Sequence, residues 1–185
     1  MAISVVGHVN PDTDSVTSAI ALATLLNAQG MEAKACMQIA AADLNPESTT
    51  VLNRFGLTAP ELLDDAVGKE IALVDFSDIA QGPANLPSAE LFAVVDHHKI
   101  GDVTTNNPIL FRAEPVGCTC TVLQKMFKDA GVAIPKTVAG GMLAALLSDT
   151  VNFNSPTCSA DDKAAVNALK VCASVTDNDA ISGAK

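Results

Sequence analysis

The fold is decided by "AISVVGHVNPDTDSVTSAIALATLLNAQG", residues 2–30. Its first six residues form an apolar run that predicts a short buried strand. From Ser15 onward apolar side chains recur at helical spacing, and Gly30 closes the stretch, which predicts a helix. The apolar stripe of this helix consists of Val16, Ala19, Ile20, Ala23 and Leu26. A strand, a polar loop and a helix in this order indicate the first βα unit of a parallel sheet.

The same alternation continues along the chain. Further strands are predicted at 32–38, 70–78, 91–99 and 108–112, and further helices at 47–56, 118–131, 135–150 and 159–175. Gly140 and Gly141 weaken the helix that contains them but permit close packing. Alternating strands and helices with right-handed crossovers predict an α/β, Rossmann-like domain: a mostly parallel sheet with helices on both faces. In such sheets ligands bind outside the carboxyl ends of the strands.

Composition limits the classes of function. The 185 residues are 49% hydrophobic with a mean hydropathy of +0.30, which suits one compact domain. The net charge of −10 and an aromatic content of 3% argue against a nucleic-acid partner. No apolar segment approaches the roughly 20 residues of a membrane span, and the N-terminus lacks the pattern of a signal peptide. We therefore expect a cytoplasmic protein without a membrane partner.

The five cysteines are an odd number without framework spacing, so we expect reduced thiols. Cys118 and Cys120 could form a soft metal pair, but no second pair of Cys or His follows at zinc spacing. Buried small residues are the favoured interpretation for both.

The loop "GHVNPDTDS", residues 7–15, concentrates His8, Asp12 and Asp14 where the first strand should end. Pro11 biases the residue before it away from the α region, so a loop wrapping around a ligand is expected instead of a helix. The alternative is an ordinary turn in which one of the aspartates caps the following helix. Both interpretations can hold together, because one aspartate can cap while the other binds.

Two more strands end in potential ligands. "LVDFSD" places Asp75 at the end of an apolar run, where a turn or a helix cap is the common alternative. "VVDHHKI" places Asp96, His97 and His98 in succession. Adjacent histidines point in different directions, so one is predicted to bind metal and the other to act as an acid or contact a substrate. Asp96 suits a role behind the ligands, orienting an imidazole.

The last cluster is "LLSDTVNFNSPT", in which Asp149 ends an apolar helical run. Alone it is a helix end followed by a new N-cap. Considered with the other clusters, Asp149 is interpreted as the last ligand of a metal site. Several carboxylates at one sheet edge repel one another unless divalent cations neutralise them. Oxygen ligands with one or two imidazoles favour Mn²⁺ or Mg²⁺. Two such ions about 3.5–4 Å apart generate a hydroxide and stabilise a leaving oxygen, so the residues predict a two-metal phosphohydrolase.

Two observations concern the substrate. Neither a Walker-type loop nor a "GxGxxG" motif occurs, so nucleotide binding through a Gly-rich loop is not indicated. The eleven Lys and Arg residues are scattered, so a highly charged anion needs positive charge from another source.

Taken together, these motifs resemble those of a known family. "GHVNPDTDSVTSA", "LVDFSD", "VVDHHKI", "FRAEPVGCTCT" and "SDTVNFNSPT" are similar, in this order, to the N-terminal domain of family II, manganese-dependent inorganic pyrophosphatases of the DHH phosphoesterase superfamily. The resemblance covers essentially the whole chain. It implies hydrolysis of diphosphate to two phosphates and a homodimer formed through this domain.

The resemblance also implies roles for individual residues. Asp75 would bridge two Mn²⁺ or Co²⁺ ions, Mg²⁺ would accompany diphosphate, and the nucleophile would be a water or hydroxide between the metals. His98 would contact the substrate and protonate the leaving phosphate, while Asn10 and Asp96 would support the ligands from behind. The implied metal ligands are His8, Asp12, Asp14, Asp75, His97 and Asp149.

The chain departs from the family pattern in two ways. Relatives carry a C-terminal domain whose Lys and Arg residues grip diphosphate, so residues 1–185 are expected to be the metal-binding domain, with 176–185 a linker and little or no turnover in isolation. Asn154 stands where relatives often have Lys, which weakens the case for a substrate contact there. Two alternatives stay open: a DHH-type phosphodiesterase acting on short oligonucleotides or cyclic dinucleotides, and a metal-binding dimerisation module without turnover.

Overall fold

The protein is described by a computed structural model over residues 2–176. The predicted linker at 176–185 therefore lies, except for its first residue, outside the described residues. The prediction of a single domain with a second one beyond it stays a prediction.

The centre of the molecule is a sheet of six parallel strands in the order β3-β2-β1-β4-β5-β6. The α/β class and the parallel sheet predicted from the sequence are confirmed. β3 was not predicted, because its two residues are exposed and offer no apolar pattern. The strands are β1 (Ile3–Val6), β2 (Ala33–Met37), β3 (Glu61–Leu62), β4 (Glu70–Val74), β5 (Glu90–Asp96) and β6 (Leu110–Ala113).

Five α-helices connect or follow the strands, each close to its predicted position. They are α1 (Thr13–Ala28), α2 (Pro46–Phe55), α3 (Thr119–Asp129), α4 (Lys136–Asp149) and α5 (Ala160–Ala173). Short 3₁₀ helices lie at Ala41–Asp43, Ile79–Gln81 and Leu86–Ser88.

The helices are not shared equally between the two faces of the sheet. α1, α3, α4 and α5 build the larger apolar cluster with one face, and α2 packs against α1 and α4. In the described part of the chain the other face is covered by connecting segments, which contribute Leu63, Phe76 and Leu86. The expectation of helices on both faces is therefore refined: the connection between β4 and β5 contains two 3₁₀ turns instead of an α-helix, and residues 97–109 between β5 and β6 contain no helix.

Close packing brings the helices onto the sheet edge that matters for the site. A Cβ on Gly7 would lie 1.9 Å from the Ser15 hydroxyl, so only glycine lets the end of β1 approach the start of α1. A Cβ on Gly140 would lie 2.2 Å from the Phe55 ring, which shows why a glycine stands inside α4. Tight contacts of this kind fix where the ends of α1 and α4 lie.

Candidate metal centre

The carboxyl ends of three adjacent strands meet at one edge of the sheet. β1, β4 and β5 are neighbours, and their last residues are followed by Gly7-His8, by Asp75 and by His97-His98. The start of α1 and the end of α4 add Asp12, Asp14 and Asp149 at the same edge. The structure thus brings together all six residues that the sequence proposed as metal ligands.

Asp75 lies at the centre of this cluster with its side chain buried. Its φ of 68° is a left-handed conformation that costs energy for a residue other than glycine, and such strain is typical of functional sites. The turn directs the two carboxylate oxygens to different histidines. Oδ2 lies 3.3 Å from Nε2 of His8, and Oδ1 lies 3.4 Å from Nε2 of His97.

The two histidines are held in the same way. Nδ1 of His8 lies 2.8 Å from the carbonyl of Val9, and Nδ1 of His97 lies 3.0 Å from the carbonyl of Val116. A carbonyl only accepts, so Nδ1 is the donor in both rings. This arrangement leaves Nε2 as the nitrogen that faces the carboxylates, which is how metal-binding imidazoles are oriented.

Asp12 serves two purposes, one with each oxygen. Oδ1 accepts a hydrogen bond of 2.9 Å from the backbone N–H of Ser15 and thereby caps α1. Oδ2 lies 3.7 Å from Nε2 of His8. The sequence suggested that one aspartate caps while the other binds; in the structure the capping aspartate also turns its second oxygen to His8.

Asp14 and Asp149 complete the other side of the cluster. Donor atoms of Asp14, His97 and Asp149 lie within 4.8 Å of one another, and those of His8, Asp12 and Asp75 do the same. Asp14 is fully buried and accepts hydrogen bonds from the Ser18 hydroxyl and from backbone N–H groups at the start of α3. The ligand candidates therefore form two groups of three, and Asp75 reaches toward both.

Without a cation the cluster is electrostatically strained. Burial, together with the charges of Asp14, Asp12 and Asp75, raises the pKa of Asp149 to about 11. Burial alone would lower the pKa of His8, but hydrogen bonds to Asp12 and Asp75 outweigh it and raise that pKa to about 11. Burial alone would also lower the pKa of His97, but the hydrogen bond to Asp75 and the charge of Asp14 outweigh it and raise that pKa to about 9. Protons thus compensate charge at the positions where a divalent ion would do so.

His98 is oriented by a hydrogen bond to Asp96, and its Nδ1 also lies 3.6 Å from Oδ1 of Asp75. Asp96 is fully buried, and its Oδ1 accepts from the backbone N–H groups of His97 and His98 and from Nδ1 of the His98 ring. The hydrogen bond to Asp96 raises the pKa of His98 above its usual value. About half of the His98 side chain is exposed, so the ring faces the open side of the centre.

An open cavity of about 300 Å³ lies in front of the centre. His8, Asp75 and His98 line it together with Asn10, whose side chain is exposed, and Lys99. Asn10 thus lies at the mouth of the cavity, and its expected supporting role stays a prediction. Among the described residues that line the cavity, Lys99 is the one with a permanent positive charge.

Residues 2–146 match the family described as "DHH family, N-terminal domain". The chain belongs to the DHH family. The match includes every residue of the centre except Asp149.

Individual relatives agree with this assignment. The manganese-dependent inorganic pyrophosphatase of Methanothrix thermoacetophila is 49% identical over 171 residues, which are 92% of this chain and 54% of that protein. A solved structure from Methanococcus jannaschii, provisionally assigned to the family II inorganic pyrophosphatases, matches with a TM-score of 0.88 and 38% identity over 98% of this chain and 61% of that one. An exopolyphosphatase-related protein from Bacteroides fragilis shares the fold, with a TM-score of 0.69 and 18% identity over 99% of this chain and 55% of that one. The DHH chain spans about half the length of the curated relatives it matches.

Two cysteines lie behind the centre of this DHH domain. Cys118 and Cys120 have donor atoms within 4.8 Å of Asp14, and both are completely buried. Burial raises the pKa of the Cys118 thiol well above its usual value and that of Cys120 to about 12. Both remain protonated at neutral pH, so they pack as small apolar residues, as the sequence favoured, and the thiolates that soft metals require are not formed.

Residues that the sequence did not single out also contact the centre. The Thr119 hydroxyl donates to Asp75, and Oε1 of Glu47 accepts from the hydroxyls of Thr13 and Ser148. Glu47 lies 101 residues before Ser148 in the sequence, so no local pattern could have indicated that contact. Thr119, in contrast, stands in the first turn of a predicted helix, a position where side chains and N–H groups commonly bind an anion.

Over residues 2–176, no helix combines the length and the apolar character needed to cross a membrane.

Proposed function

We propose that this chain is the metal-binding part of a manganese-dependent inorganic pyrophosphatase, which hydrolyses diphosphate to two phosphates. The observation that carries the proposal is the position of Asp75 between two separate groups of ligands. One of its oxygens faces His8 and the other faces His97. A carboxylate shared in this way suits two neighbouring ions.

The residues present fit Mn²⁺. Each group offers one imidazole and two carboxylates, a nitrogen and oxygen donor set that suits Mn²⁺ and lacks the thiolates that favour zinc. His8, Asp12 and Asp75 would hold one ion, and Asp14, His97, Asp149 and Asp75 the other. When bound, the two ions would neutralise the carboxylates and lower the pKa of an attacking water. Co²⁺ is proposed as an alternative activator and Mg²⁺ as the companion of diphosphate.

His98 is proposed as the proton donor of the reaction. In hydrolysis the bond between the bridging oxygen and one phosphorus breaks, and the bridging oxygen of the departing phosphate takes up a proton. Asp96 holds Nδ1 of His98 as a donor, which leaves Nε2 to deliver that proton. The hydrogen bond to Asp96 raises the pKa of His98 above its usual value, which favours the protonated ring that a proton donor requires.

Diphosphate carries more negative charge than the cavity can meet by itself. Lys99 is the one Lys or Arg side chain among the described residues of its lining. We therefore propose that a second domain, of the kind the resemblance implies, supplies further cations and closes over the substrate.

A homodimer is proposed through the edge of the sheet. β6 pairs with β5 on one side, and its other edge has no partner among residues 2–176. Leu110 and Phe111 on this strand are exposed to 51% and 41%. An unpaired edge with apolar side chains is a template for pairing with a second copy. Light scattering is expected to give the mass of a dimer for the wild type and of a monomer for Leu110→Lys. A monomeric wild type would refute the proposal.

A reducing, cytoplasmic location is proposed from the thiols. All five cysteines are unpaired, and Cys36, Cys118 and Cys120 are buried. Unpaired thiols are typical of proteins from reducing compartments.

The function is tested by phosphate release from diphosphate by the purified full-length protein after loading with Mn²⁺. We expect phosphate release that requires the metal, and no cleavage of a dinucleotide under the same conditions. Absence of phosphate release from the Mn²⁺-loaded protein would overturn the proposed function. Cleavage of the dinucleotide would favour a phosphodiesterase activity instead.

A further inference from the structure

A single residue outside the ligand set contacts carboxylates from both groups. Thr119 is the first residue of α3 and is fully buried. Its backbone N–H donates to Oδ2 of Asp14 at 2.6 Å, and its hydroxyl donates to Oδ1 of Asp75 at 2.8 Å. Thr119 thus ties the start of α1 to the end of β4.

The two carboxylates need such a tie. The negative charges of Asp14 and Asp75 repel each other, and burial strengthens the repulsion because water cannot screen it. Asp75 is also held in a left-handed conformation, which persists only where the surroundings impose it. A donor placed between the two carboxylates opposes both effects.

The oxygen that Thr119 binds is the one that matters for the second ion. Oδ1 of Asp75 faces Nε2 of His97, and His97 belongs to the same group of donor atoms as Asp14 and Asp149. The hydroxyl occupies one lone-pair site of Oδ1 and leaves the other for a cation. Removing the hydroxyl would free the carboxylate to rotate away from that direction.

We infer that Thr119 is a positioning residue that fixes Asp14 and Asp75 relative to each other and thereby sets the affinity of the centre for Mn²⁺. The inference rests on the proposed metal centre. It assigns to a threonine of α3 a role in binding ions that it does not itself ligate.

The same helix supplies a matched control. Thr121 lies two residues further along α3 and is equally buried, and its hydroxyl donates to Oδ1 of Asp162 at 2.6 Å. Asp162 lies on α5 and also accepts from the backbone N–H of Gly117. The Thr121 bond therefore joins α3 to α5 and does not involve the proposed ligands. Valine at either position removes one buried hydroxyl bond to a carboxylate and keeps the side-chain shape.

The experiment compares wild type, Thr119→Val, Thr119→Ser and Thr121→Val by calorimetric titration of Mn²⁺ into the metal-free full-length protein. Thermal unfolding of the metal-free forms is measured in parallel. Thr119→Val is expected to weaken binding of at least one ion about 10- to 100-fold, the effect typical of residues that orient metal ligands. Thr119→Ser is expected to bind like wild type, and Thr121→Val is expected to unfold at lower temperature while binding Mn²⁺ like wild type.

Each result decides a different statement. Unchanged Mn²⁺ affinity in Thr119→Val overturns the inference, as does an equal loss in Thr121→Val, which would make the effect a general loosening of α3. If Thr119→Val does not fold, Thr119→Ala is measured in its place, with Thr121→Ala as its control. A wild type that binds no Mn²⁺ refutes the proposed metal centre itself, together with this inference.

Discussion

Nδ1 of His98 lies 2.9 Å from Oδ1 of Asp96, a carboxylate that is completely buried beneath it. Since a carboxylate accepts, the contact fixes which ring nitrogen carries the proton and which one faces the cavity. Nε2 of His98 is thereby left as the nitrogen available for the proposed proton transfer, beside the proposed ligands.

Replacing His98 by Gln is therefore expected to slow phosphate release about 10²- to 10⁴-fold, the range typical of a lost general acid. Mn²⁺ binding should stay nearly intact, because His98 is not among the proposed ligands. Steady-state phosphate release and calorimetric titration of Mn²⁺ check the two statements. Loss of an ion from the variant would show that the two adjacent histidines have been assigned the wrong roles.

Replacing Asp75 by Asn is expected to remove at least one of the two Mn²⁺ ions, because one carboxylate serves both groups of ligands. The measurement is the ratio of bound metal to protein after dialysis, by mass spectrometry of the metal. Asp43→Asn is the control, since Asp43 is exposed in a short 3₁₀ helix and carries the same charge. An unchanged ratio in Asp75→Asn would contradict the bridging role.

The stability of the metal-free protein is expected to fall as the pH rises from 6.5 to 9. The pKa of His97 is about 9 and that of His8 about 11 in the folded state, against 6.5 in the unfolded chain. The folded state therefore binds more protons in this range, and stability present below pH 6.5 is lost as the pH increases. Saturating Mn²⁺ should remove the slope because the metal displaces these protons.

Thermal unfolding at several pH values, with and without Mn²⁺, tests this expectation. Titration of Mn²⁺ in buffers of different ionisation enthalpy should also detect protons released on binding. A metal-free protein that becomes more stable between pH 6.5 and 9 would contradict the raised pKa values of the two histidines.

Glu47 is expected to hold the two ends of the centre together. Its Oε1 accepts from Thr13 at 2.7 Å, beside Asp12 and Asp14, and from Ser148 at 2.6 Å, beside Asp149. Glu47→Ala should weaken Mn²⁺ binding about tenfold and lower the unfolding temperature of the metal-free protein. Glu32→Ala, which removes an exposed carboxylate before β2, should change neither quantity. Wild-type affinity in Glu47→Ala would assign Glu47 to stability alone.

The turn after Asp149 stores backbone strain that a substitution should relieve. Val151, Asn152 and Phe153 have φ values of 48°, 51° and 70°, and a left-handed conformation costs about 1–2 kcal/mol for a side chain such as valine. Val151→Asn is expected to stabilise the protein by about 1 kcal/mol, because asparagine tolerates this conformation. Chemical denaturation measures the change. Val171→Asn, at an exposed helical position, is expected to give no gain.

The order and type of the helices and of five strands could be predicted from the sequence. Each has an apolar pattern with a clear period and a recognisable end, as in the run before Gly7 and the stripe before Gly30. β3 could not be predicted, because Glu61 and Leu62 are exposed and their pairing with β2 is set by neighbours distant in sequence. The one-sided placement of the α-helices was also missed, since local periodicity does not say which face a crossover covers.

The sequence by itself determined the types of ligand and their places at the ends of strands and helices. Those features are local, since a histidine or aspartate that follows an apolar run is visible in a few neighbouring residues. The tertiary structure alone decided that Asp75 turns one oxygen to His8 and the other to His97. It also decided that Thr119 bonds to Asp14 and Asp75, and that Glu47 bonds to Thr13 and Ser148. These relationships join residues 22 to 105 positions apart, and they exist only because strand order and helix packing bring separate parts of the chain to one edge of the sheet.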